Sequence, residues 1–518
     1  MSAKSVLILG AGFMQGVAIR AAKGKGWRVI AVDGNPKAVC AGEADLFEPI
    51  DLKDRTALIA FARRLQASSG LDGVFTAATD FSASVAAVAE ACGLPGHTLA
   101  AAENASDKVR MRTRFAEANV PSPRYVGIKA DTSDQAARLL DRAGISFPAV
   151  VKPADNMGAR GCRTVRDEES LRAALDDAIR YSRTGTAIVE EYMDGPEFSI
   201  EALVFDGEFH LTGFADRHIF FPPYFIEMGH TIPAGCAPAD AERIIQVFRA
   251  GIKALGLTHG AAKGDIKLTS RGPMVGEIAG RLSGGYMSGW TFPYSSGVDL
   301  TAAALELAVG NRPSSLDFIR DDVAAERAWI SIPGTVRAIY GLETAGRGAF
   351  VRDVFPRAGI GDTVTFPRNN VEKCGNVLAS APSREEAVRA AERACASIVL
   401  RLAPDRESTD RFLATAGREP ARFPPAAFGF DPTRVESLQS AINTAGFPFP
   451  VPEPFRAGLD SVRDWQGRTV RECLNMCLSA EQGLASLLAL GGKRTEACWR
   501  AFAAAGIQGM LYAYDSKK

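Results

Sequence analysis

The sequence predicts a multidomain α/β protein, and three observations carry that prediction. Its 518 residues exceed what one compact core usually buries, so several domains are expected. Near the start, short apolar runs alternate with helical patterns, which is typical of a parallel sheet covered by helices. Further along, two strands at 198–205 and 210–214 are joined by the short turn Asp206-Gly207, which indicates antiparallel pairing.

Apolar runs and turn signals give the expected elements in order. Ser106 or Asp107 caps a helix that Pro121 and Pro123 stop. The N-terminal sheet comprises strands at 6–9, 29–32 and 72–76, with helices from the Gly10-Ala11-Gly12 turn to about Lys25 and over 84–92. The next region comprises helices at 134–143, from about 167 and within 239–256, and strands at 149–152, 187–190, 261–268 and 274–278.

The pattern changes after Leu307. Short strands are predicted at 328–332, 335–339 and 363–366, and a helix over 384–400 closes that region. Residues 404–454 are rich in proline and phenylalanine and are predicted to be a linker. Residues 462–513 are predicted to be mostly helical, either as a docking or dimerisation module or as a cap on the core.

The charge balance and the hydropathy of the chain limit the classes of protein to which it can belong. Lysine plus arginine number 60, as do aspartate plus glutamate, so the chain has no net formal charge and no electrostatic footprint for nucleic acid or an anionic membrane. No apolar run approaches membrane-spanning length, and we expect no signal peptide. We therefore expect a cytoplasmic protein whose partners are small molecules, with no nucleic acid and no membrane among them.

Nine scattered cysteines argue against a disulfide framework and for a reducing compartment. Cys473 and Cys477 lie one helical turn apart, with Cys498 further along. A zinc site would need four convergent ligands, and no histidine lies nearby in the sequence. Buried helix cysteines are therefore the favoured interpretation.

A glycine-rich turn follows the first strand. Gly10, Gly12 and Gly16 open a helix, where backbone N–H groups can approach an anion. Asp33 ends the second strand, about where an acidic partner of a ribose sits in a dinucleotide site. However, the spacing is one residue longer than the dinucleotide motif. Glycines that only permit close packing of the helix on the sheet are the favoured alternative.

A second set of residues follows in an order that suits a bound triphosphate. Lys108 lies on a helix and Lys152 ends a buried strand, and two such cations can neutralise phosphate oxygens. The small-residue loop 154–162 can fold over phosphates without side-chain clashes. Asp265 and Glu277 lie on neighbouring predicted strands, where two carboxylates can hold Mg²⁺ against the phosphates.

Singly, these elements are equally well explained as a strand edge, a solvated surface or a turn, but their joint order is specific. That order resembles the ATP-grasp superfamily from about residue 5 to residue 400. The resemblance implies a Rossmann-like pre-ATP-grasp parallel sheet, a two-lobed α+β ATP-grasp core, a β-rich C-terminal lid domain and a helical C-terminal extension. The implied domains are 1–95, the two lobes 96–185 and 186–315, a domain similar to the C-terminal part of biotin carboxylase at 316–404, and the linker and extension at 405–518.

The resemblance also implies roles for individual residues. The metal ligands would be Asp265 and Glu277. Arg281 and Lys152 would be catalytic, because they stabilise the transferring phosphoryl group. The residues that bind ATP would supply the phosphate contacts, the lid, the adenine hinge and the ribose carboxylate: Lys108, Lys152, Gly158, Gly161, Glu190, Glu191, Met193 and Glu197.

The segment 224–233 resembles the substrate loop of L-amino-acid ligases, a branch of the same superfamily. Glu227 and His230 would approach the substrate, and for His230 a hydrogen-bonded loop histidine is an equal alternative. Ser283 and Gly284 would cradle an acyl phosphate with backbone N–H groups. The resemblance therefore implies a ligase that uses ATP and Mg²⁺, with Mn²⁺ as an alternative, to activate a carboxylate and join it to an amine, releasing ADP and phosphate.

One position departs from the superfamily pattern. Many members carry asparagine two residues after the second metal carboxylate, where this sequence has Ala279 and lacks the amide oxygen that would complete two-metal coordination. Ala279 favours one alternative function, a nucleotide-binding regulatory protein without turnover. The other alternative is an ATP-dependent carboxylase that uses carboxyphosphate. Retention of both lysines, both carboxylates and the arginine favours the ligase, and a homodimer is left open.

Overall fold

The computed structural model describes residues 3–417, 423–430 and 446–517, and the backbone of 442–443. The chain divides into two compact units. The first unit comprises residues 1–219, 229–325 and 380–384, and the second comprises 220–228, 326–379 and 385–518. The finer domain boundaries expected from the sequence remain predictions.

The first unit begins with the predicted parallel sheet. Its strands are β1 (Ser5–Leu9), β2 (Arg28–Val32), β3 (Leu46–Glu48) and β4 (Gly73–Phe75), in the order β3-β2-β1-β4. The helices of this region are α1 (Phe13–Gly24), α2 (Arg55–Ser69) and α3 (Ser82–Cys92). Alternate residues of β1 pack into two separate apolar clusters, which explains why all four residues from 6 to 9 are apolar.

A four-stranded antiparallel sheet follows. Its strands are β5 (Tyr125–Lys129), β6 (Ala149–Pro153), β7 (Arg163–Val165) and β8 (Thr186–Glu191), in the order β5-β8-β6-β7. The helices are α4 (Leu99–Ser106), α5 (Lys108–Glu117), α6 (Ala136–Arg142) and α7 (Glu168–Tyr181). Asp107 caps α5, because its carboxylate accepts hydrogen bonds from the N–H groups of Val109 and Arg110 at 2.8 and 3.0 Å. This cap fixes Lys108 at the first position of the helix.

A larger antiparallel sheet completes the core of the first unit. Its strands are β9 (Glu197–Phe205), β10 (Glu208–Phe220), β11 (Ile226–Ile232), β12 (Gly260–Thr269), β13 (Gly272–Ala279) and the start of β14 (Val323–Trp329), in the order β13-β12-β9-β10-β11-β14. Helix α8 (Pro238–Leu255) buries Ile244, Phe248 and Ile252 among residues of β9, β12 and β13. Helices α9 (Phe292–Ser296) and α10 (Leu300–Ala308) follow.

The second unit has short strands around two apolar clusters. Its further elements are β15 (Gly334–Tyr340), α11 (Leu342–Gly346), β16 (Val351–Pro356), β17 (Thr363–Val364), β18 (Gly375–Ala381), α12 (Arg384–Ser397), β19 (Val399–Leu402) and α13 (Glu407–Thr415). Strands β17, β15 and β19 form one sheet, and β18 pairs with β16 in another. The strand predicted at 335–339 is confirmed by β15, and the strand predicted at 363–366 is shortened to β17. The strand predicted at 328–332 overlaps only the last two residues of β14, and the helix predicted over 384–400 ends at Ser397 before β19. Strands β16, β18 and β19 were not predicted.

The C-terminal region is helical, as predicted. It comprises β20 (Ile442–Asn443), β21 (Pro450–Val451), α14 (Glu453–Ala457), α15 (Val470–Ala480), α16 (Leu484–Leu490) and α17 (Lys493–Asp515). The linker prediction for 404–454 is wrong where the chain is described, because α13 lies there and Phe428 and Phe449 are buried in a core. Its parts at 418–422, 431–441 and 444–445 fall outside the described residues. Cys473, Cys477 and Cys498 are buried in that core, as expected.

Within the part of the chain that the structure describes, no single helix is both long and apolar enough to cross a membrane. The pair α15 and α16 meets the length and composition criteria together, with a bend of 115° between the two helices. Leu474 and Cys477 of α15 and Leu484 and Leu488 of α16 are buried in the core of the second unit, where an apolar surface is accounted for by packing.

Candidate active site

Lys152 is held by a buried carboxylate. It lies on β6, diagonally across from Glu190 on β8, and its Nζ is 2.7 Å from Glu190 Oε2. Arg112 on α5 donates to the other oxygen, Oε1, at 2.8 Å. Burial acts against the charges, but the attraction between them outweighs it, so the pKa of Lys152 is raised and that of Glu190 is lowered. Glu190 therefore orients two cations, and a contact to adenine at this position would have to come from its backbone.

Lys108 connects the predicted phosphate lid to the predicted metal ligands. Its backbone N–H donates to Ala154 O and its Nζ donates to Asn156 O, both at 2.8 Å. The same Nζ lies 3.6 Å from Glu277 Oε1. Burial raises the pKa of Glu277, but the combined attraction of Lys108, Lys263 and Lys152 outweighs burial and the repulsion of Asp265, so the pKa is lowered. The carboxylate therefore stays charged beside the lid.

The lid itself depends on two glycines. Gly158 and Gly161 have φ values of 71° and 65°, in the left-handed region that favours glycine. A Cβ at Gly161 would lie 2.9 Å from a ring carbon of Tyr181 and 3.2 Å from Pro153. Arg160 donates to Met157 O at 3.2 Å, which closes the loop on itself. The backbone N–H groups of such a loop can face phosphate oxygens.

Asp265 and Glu277 lie directly opposite each other on β12 and β13. Directly opposite residues have Cβ atoms about 4.5–5.5 Å apart, so both carboxylates can bind one cation. Asp265 already accepts from Ser199 Oγ at 2.8 Å and from Lys263, and Arg217 lies 3.3 Å from its other oxygen. Because Oδ1 already accepts two hydrogen bonds, a cation would bind Asp265 through Oδ2. Two hard oxygen donors on adjacent strands fit Mg²⁺.

Two of the predicted adenine and ribose residues, Met193 and Glu197, lie around one lysine. Lys267 Nζ donates to Met193 O at 3.3 Å and lies 3.9 Å from Glu197 Oε2. Glu197 also pairs with Arg217. Glu191 accepts from Arg124 at 3.0 Å and pairs with Arg271 at 3.1 Å, and these contacts lower its pKa against the effect of burial. The hinge positions and the carboxylate are thus brought together, and their nucleotide roles remain predictions.

Arg281 begins a loop that lies against the N-terminal sheet. Its NH1 donates to Leu282 O at 2.9 Å, and Leu282 forms a parallel bridge with Ala77, next to the end of β4. Ser283 donates its N–H to the buried carboxylate of Glu201 at 2.6 Å. This N–H is therefore already engaged by a carboxylate of β9. The expected acyl-phosphate cradle would then rest on Gly284 and Arg281.

The two substrate residues fall in different units. His230 belongs to the first unit, is 1% exposed, and has its Nε2 3.4 Å from Ser199 Oγ. Glu227 belongs to the second unit, where its N–H donates to Asn370 Oδ1 at 2.8 Å and its carbonyl accepts from Lys373 at 2.7 Å. Ser199, the hydrogen-bond partner of His230, also donates to Asp265, so His230 lies near a predicted metal ligand.

Sequence reasoning missed several charged residues of this region. Arg112 is four residues after Lys108 on the same helix, a spacing that places both on one face. Lys263 is two residues before Asp265, and Ser199 and Glu201 follow Glu197 at strand spacing. The period of each element was therefore the available signal. Arg217 and Asp80, which faces the charges of Lys108 and Arg281, gave no comparable signal.

The glycine-rich N-terminal turn is closed by its own side chains. Asp33 accepts from the N–H groups of Ala11 and Asn35 at 2.9 and 2.8 Å. A Cβ at Gly10 would lie 2.9 Å from the side chain of Gln15. These contacts support a packing role for the glycines and leave Asp33 engaged in the turn.

Three family models match the chain. An ATP-grasp N-terminal domain matches residues 19–96, an ATP-grasp domain matches 145–289, and an L-amino acid ligase C-terminal domain 2 matches 328–403. The central match includes Lys152, Glu190, Asp265, Glu277 and Arg281. The match at 328–403 shows that the β-rich region is similar in sequence to a C-terminal domain of L-amino acid ligases.

Individual proteins agree with these models. An uncharacterized protein of Sinorhizobium fredii is 29% identical over 360 residues, covering 68% of this chain and 73% of its own length. Carnosine synthase 1 of Gallus gallus is 28% identical over 375 residues; the match covers 66% of this chain but only 40% of the synthase. The crystal structure of L-amino acid ligase from Bacillus licheniformis superposes with a TM-score of 0.67 at 22% identity, over 77% of this chain and 99% of that one, which shows a shared fold.

Proposed function

The chain belongs to the ATP-grasp superfamily of ADP-forming ligases, and from that premise we propose that it joins the carboxylate of an amino acid to an amine. The observation that carries the proposal is the strand register that sets Asp265 opposite Glu277, with Lys108 beside them. The similarity to an L-amino acid ligase and to carnosine synthase supports amino acids as the substrate class.

The first step proposed is phosphoryl transfer. A carboxylate oxygen of the substrate attacks the γ-phosphorus of ATP, the bond to the β-phosphate oxygen breaks, and an acyl phosphate and ADP result. Lys108, Lys152 and Arg281 offset the negative charge on the transferring group, so catalysis is mainly positioning and charge neutralisation. Mg²⁺ held by Asp265 and Glu277 would supply further charge stabilisation at the phosphate oxygens.

The second step is amide formation. The amine nitrogen attacks the acyl carbon, the bond from that carbon to the phosphate oxygen breaks, and phosphate leaves with the electron pair while the nitrogen loses a proton. Water would compete with the amine as nucleophile. The lid at 154–162 would exclude it, because closure over the phosphates keeps solvent from the acyl phosphate.

The remaining parts of the proposal concern the ion, partners and location. Mg²⁺ is proposed as the physiological ion, with Mn²⁺ able to replace it, since both accept oxygen ligands. The partners proposed are small-molecule carboxylates and amines, and a homodimer is one arrangement to test. A cytoplasmic location is supported by nine cysteines, all of them free thiols.

The proposal is tested by ADP release from the purified full chain with ATP, Mg²⁺ and each amino acid, alone and in pairs, with products identified by mass spectrometry. We expect ADP, phosphate and an amide-bonded product for at least one pair. Stimulation by bicarbonate alone would instead identify a carboxylase. Nucleotide binding without ADP release under any condition would identify a regulatory protein.

Glu277→Gln separates the metal site from the fold. We expect at least a hundredfold loss of ADP release from a protein that still folds, because the variant removes a charged metal ligand and not core packing. Loss of the attraction to Lys108 should lower the unfolding midpoint only slightly. Glu208→Gln is the matched control, since its side chain is 70% exposed at the start of β10. Full turnover by Glu277→Gln would contradict the metal assignment.

A further inference from the structure

Strands β9, β12 and β13 present two rows of side chains on one face of the sheet. The first row contains the predicted metal carboxylates and consists of Ser199, Asp265 and Glu277. The second row lies two residues away along each strand and consists of Glu201, Lys263 and Ala279. Contacts between the rows confirm the common face, because Lys263 donates to the same Asp265 oxygen that accepts from Ser199.

We propose that the ammonium group of Lys263 takes the place of a second metal ion, so that the site binds one divalent cation through Asp265 and Glu277. The fixed charge of the lysine supplies the remaining neutralisation of the phosphate tail. This proposal deepens the proposed function, since it rests on the same nucleotide and metal site.

The ligand chemistry of the second row supports a single ion. Mg²⁺ requires oxygen ligands at about 2.0–2.1 Å in near-octahedral geometry. Beside the metal carboxylates, the side chains at 263 and 279 are an ammonium and a methyl group, and neither has a lone pair to offer. The one carboxylate of this row, Glu201, lies on β9, and β12 with Lys263 separates it from Glu277 on β13. The ammonium also takes one lone pair of Asp265 and repels a nearby dication.

The position of Lys263 is fixed by its surroundings. Its side chain is 13% exposed, and it lies directly opposite Glu201, which is 1% exposed. Glu201 Oε1 accepts from Ser283 and Ser288, while Oε2 has no hydrogen-bond partner within the described part of the chain. The buried carboxylate thus keeps an unshared oxygen next to the lysine, and opposite charges on paired strands attract.

Metal stoichiometry tests the proposal without turnover. The full chain is saturated with a non-hydrolysable ATP analogue and titrated with Mn²⁺, and free Mn²⁺ is followed by electron paramagnetic resonance. We expect one bound Mn²⁺ per chain for the native protein and for Lys263→Arg, which keeps the charge. The double variant Lys263→Met with Ala279→Asn should bind two, because it removes the cation and adds an amide oxygen.

Controls make each outcome decisive. Lys253→Met removes an exposed lysine from α8 and should leave one Mn²⁺ bound. Lys263→Met alone should bind the analogue roughly tenfold more weakly, the size of one charge-assisted contact. Two Mn²⁺ ions in the native protein, or one in the double variant with an unchanged unfolding midpoint, would overturn the proposal. Absence of amino-acid-dependent ADP release would instead count against the ligase function, because the titration requires no turnover.

Discussion

Glu190 controls the phosphate-binding lysine from inside the protein. One oxygen pairs with Lys152 and the other with Arg112, and Glu190 and Arg112 are both almost fully buried. Arg112 also donates to Gly276 O at 2.6 Å, which connects this ion pair to the strand that carries Glu277. Removal of the central carboxylate would leave two cations without a counter-charge, a costly change in a buried site.

Glu190→Gln should therefore reduce the free energy of unfolding by about 3–5 kcal/mol at pH 7, measured by urea denaturation. The pKa of Glu190 is lowered in the folded protein. The charged side chain therefore stabilises the fold fully above the ordinary glutamate pKa, and this contribution is lost as the pH falls through the lowered pKa. The difference from the native protein should shrink on acidification. Glu191→Gln, at the partly exposed neighbour, is the control and should cost less; equal losses would contradict the role of burial.

His97 gives a second dependence on pH. Its Nε2 is 3.0 Å from Ala261 O, and its Nδ1 accepts from the N–H of His259 at 3.3 Å, so a neutral ring satisfies both contacts. Burial lowers its pKa to about 4, whereas the unfolded chain titrates near 6.5. The unfolded state binds more protons between these values, so stability should fall as the pH drops from 6.5 towards 4.

The contribution of His97 to that fall should be about 3 kcal/mol by pH 4. His97→Gln keeps an amide that can donate to Ala261 O but cannot titrate. Its unfolding free energy, measured at intervals from pH 7 to 4, should therefore decline less steeply than that of the native protein. Parallel pH profiles for the two proteins would show that the ring is not held neutral by its surroundings.

The charged residues that belong to superfamily motifs could be predicted from the sequence, but the charged residues that contact them could not. Lys152 could be recognised because it ends an apolar strand before a small-residue loop. The partnership of Glu190 with Arg112 joins residues 78 positions apart, and no local pattern encodes such a pair. From the sequence, Lys263 could be recognised only as a residue on the same strand face as Asp265. Its contact depends on the strand register, which the folded chain sets.

At the scale of elements, the hairpin of β12 and β13 was predicted almost to its ends, since strands at 261–268 and 274–278 became Gly260–Thr269 and Gly272–Ala279. Alternating apolar residues and the turn at Ser270-Arg271-Gly272 made this possible. The β-bulge between Asp265 and Ile266 was not foreseen. A bulge is defined by how a strand pairs with its neighbour, so the sequence of one strand alone predicts it poorly.

The turn between β8 and β9 depends on one glycine. Gly195 has a φ of 81°, and a Cβ there would lie 2.1 Å from Leu268 O on β12. Gly195→Ala should cost more than about 2 kcal/mol of unfolding free energy, because it adds a backbone clash to the strain of a positive φ. Since Gly195 separates the hinge from Glu197, nucleotide affinity should fall as well.

Gly207→Ala provides the matched control for that clash. Gly207 has a φ of 75° in the turn between β9 and β10, and a Cβ there would meet nothing within 4 Å. Only the conformational strain remains, so the expected cost is about 1 kcal/mol. Urea denaturation of both variants should give the larger loss for Gly195→Ala. The reverse order would contradict the close approach of this turn to β12.

At the scale of the whole molecule, the prediction that failed most clearly is the linker at 404–454. Proline and phenylalanine indicated a linker, yet Phe428, Phe447 and Phe449 pack into a core with α15, α16 and α17. Composition shows only that aromatic residues are present. Whether their side chains are buried depends on packing against residues far away in the sequence. Arg401, which pairs with Asp515 and Glu481, shows how β19 is tied to the C-terminal helices within the second unit.

One cleft of the first unit is proposed to transfer the γ-phosphoryl group of ATP to a carboxylate. The most direct measurement follows the oxygen atoms. An accepted amino acid labelled with ¹⁸O in its carboxylate is turned over with ATP, and the released phosphate is examined by ³¹P NMR and mass spectrometry. An acyl phosphate requires one ¹⁸O in each phosphate, because the C–O bond breaks in the second step. Unlabelled phosphate, or label in AMP with release of pyrophosphate, would contradict the account.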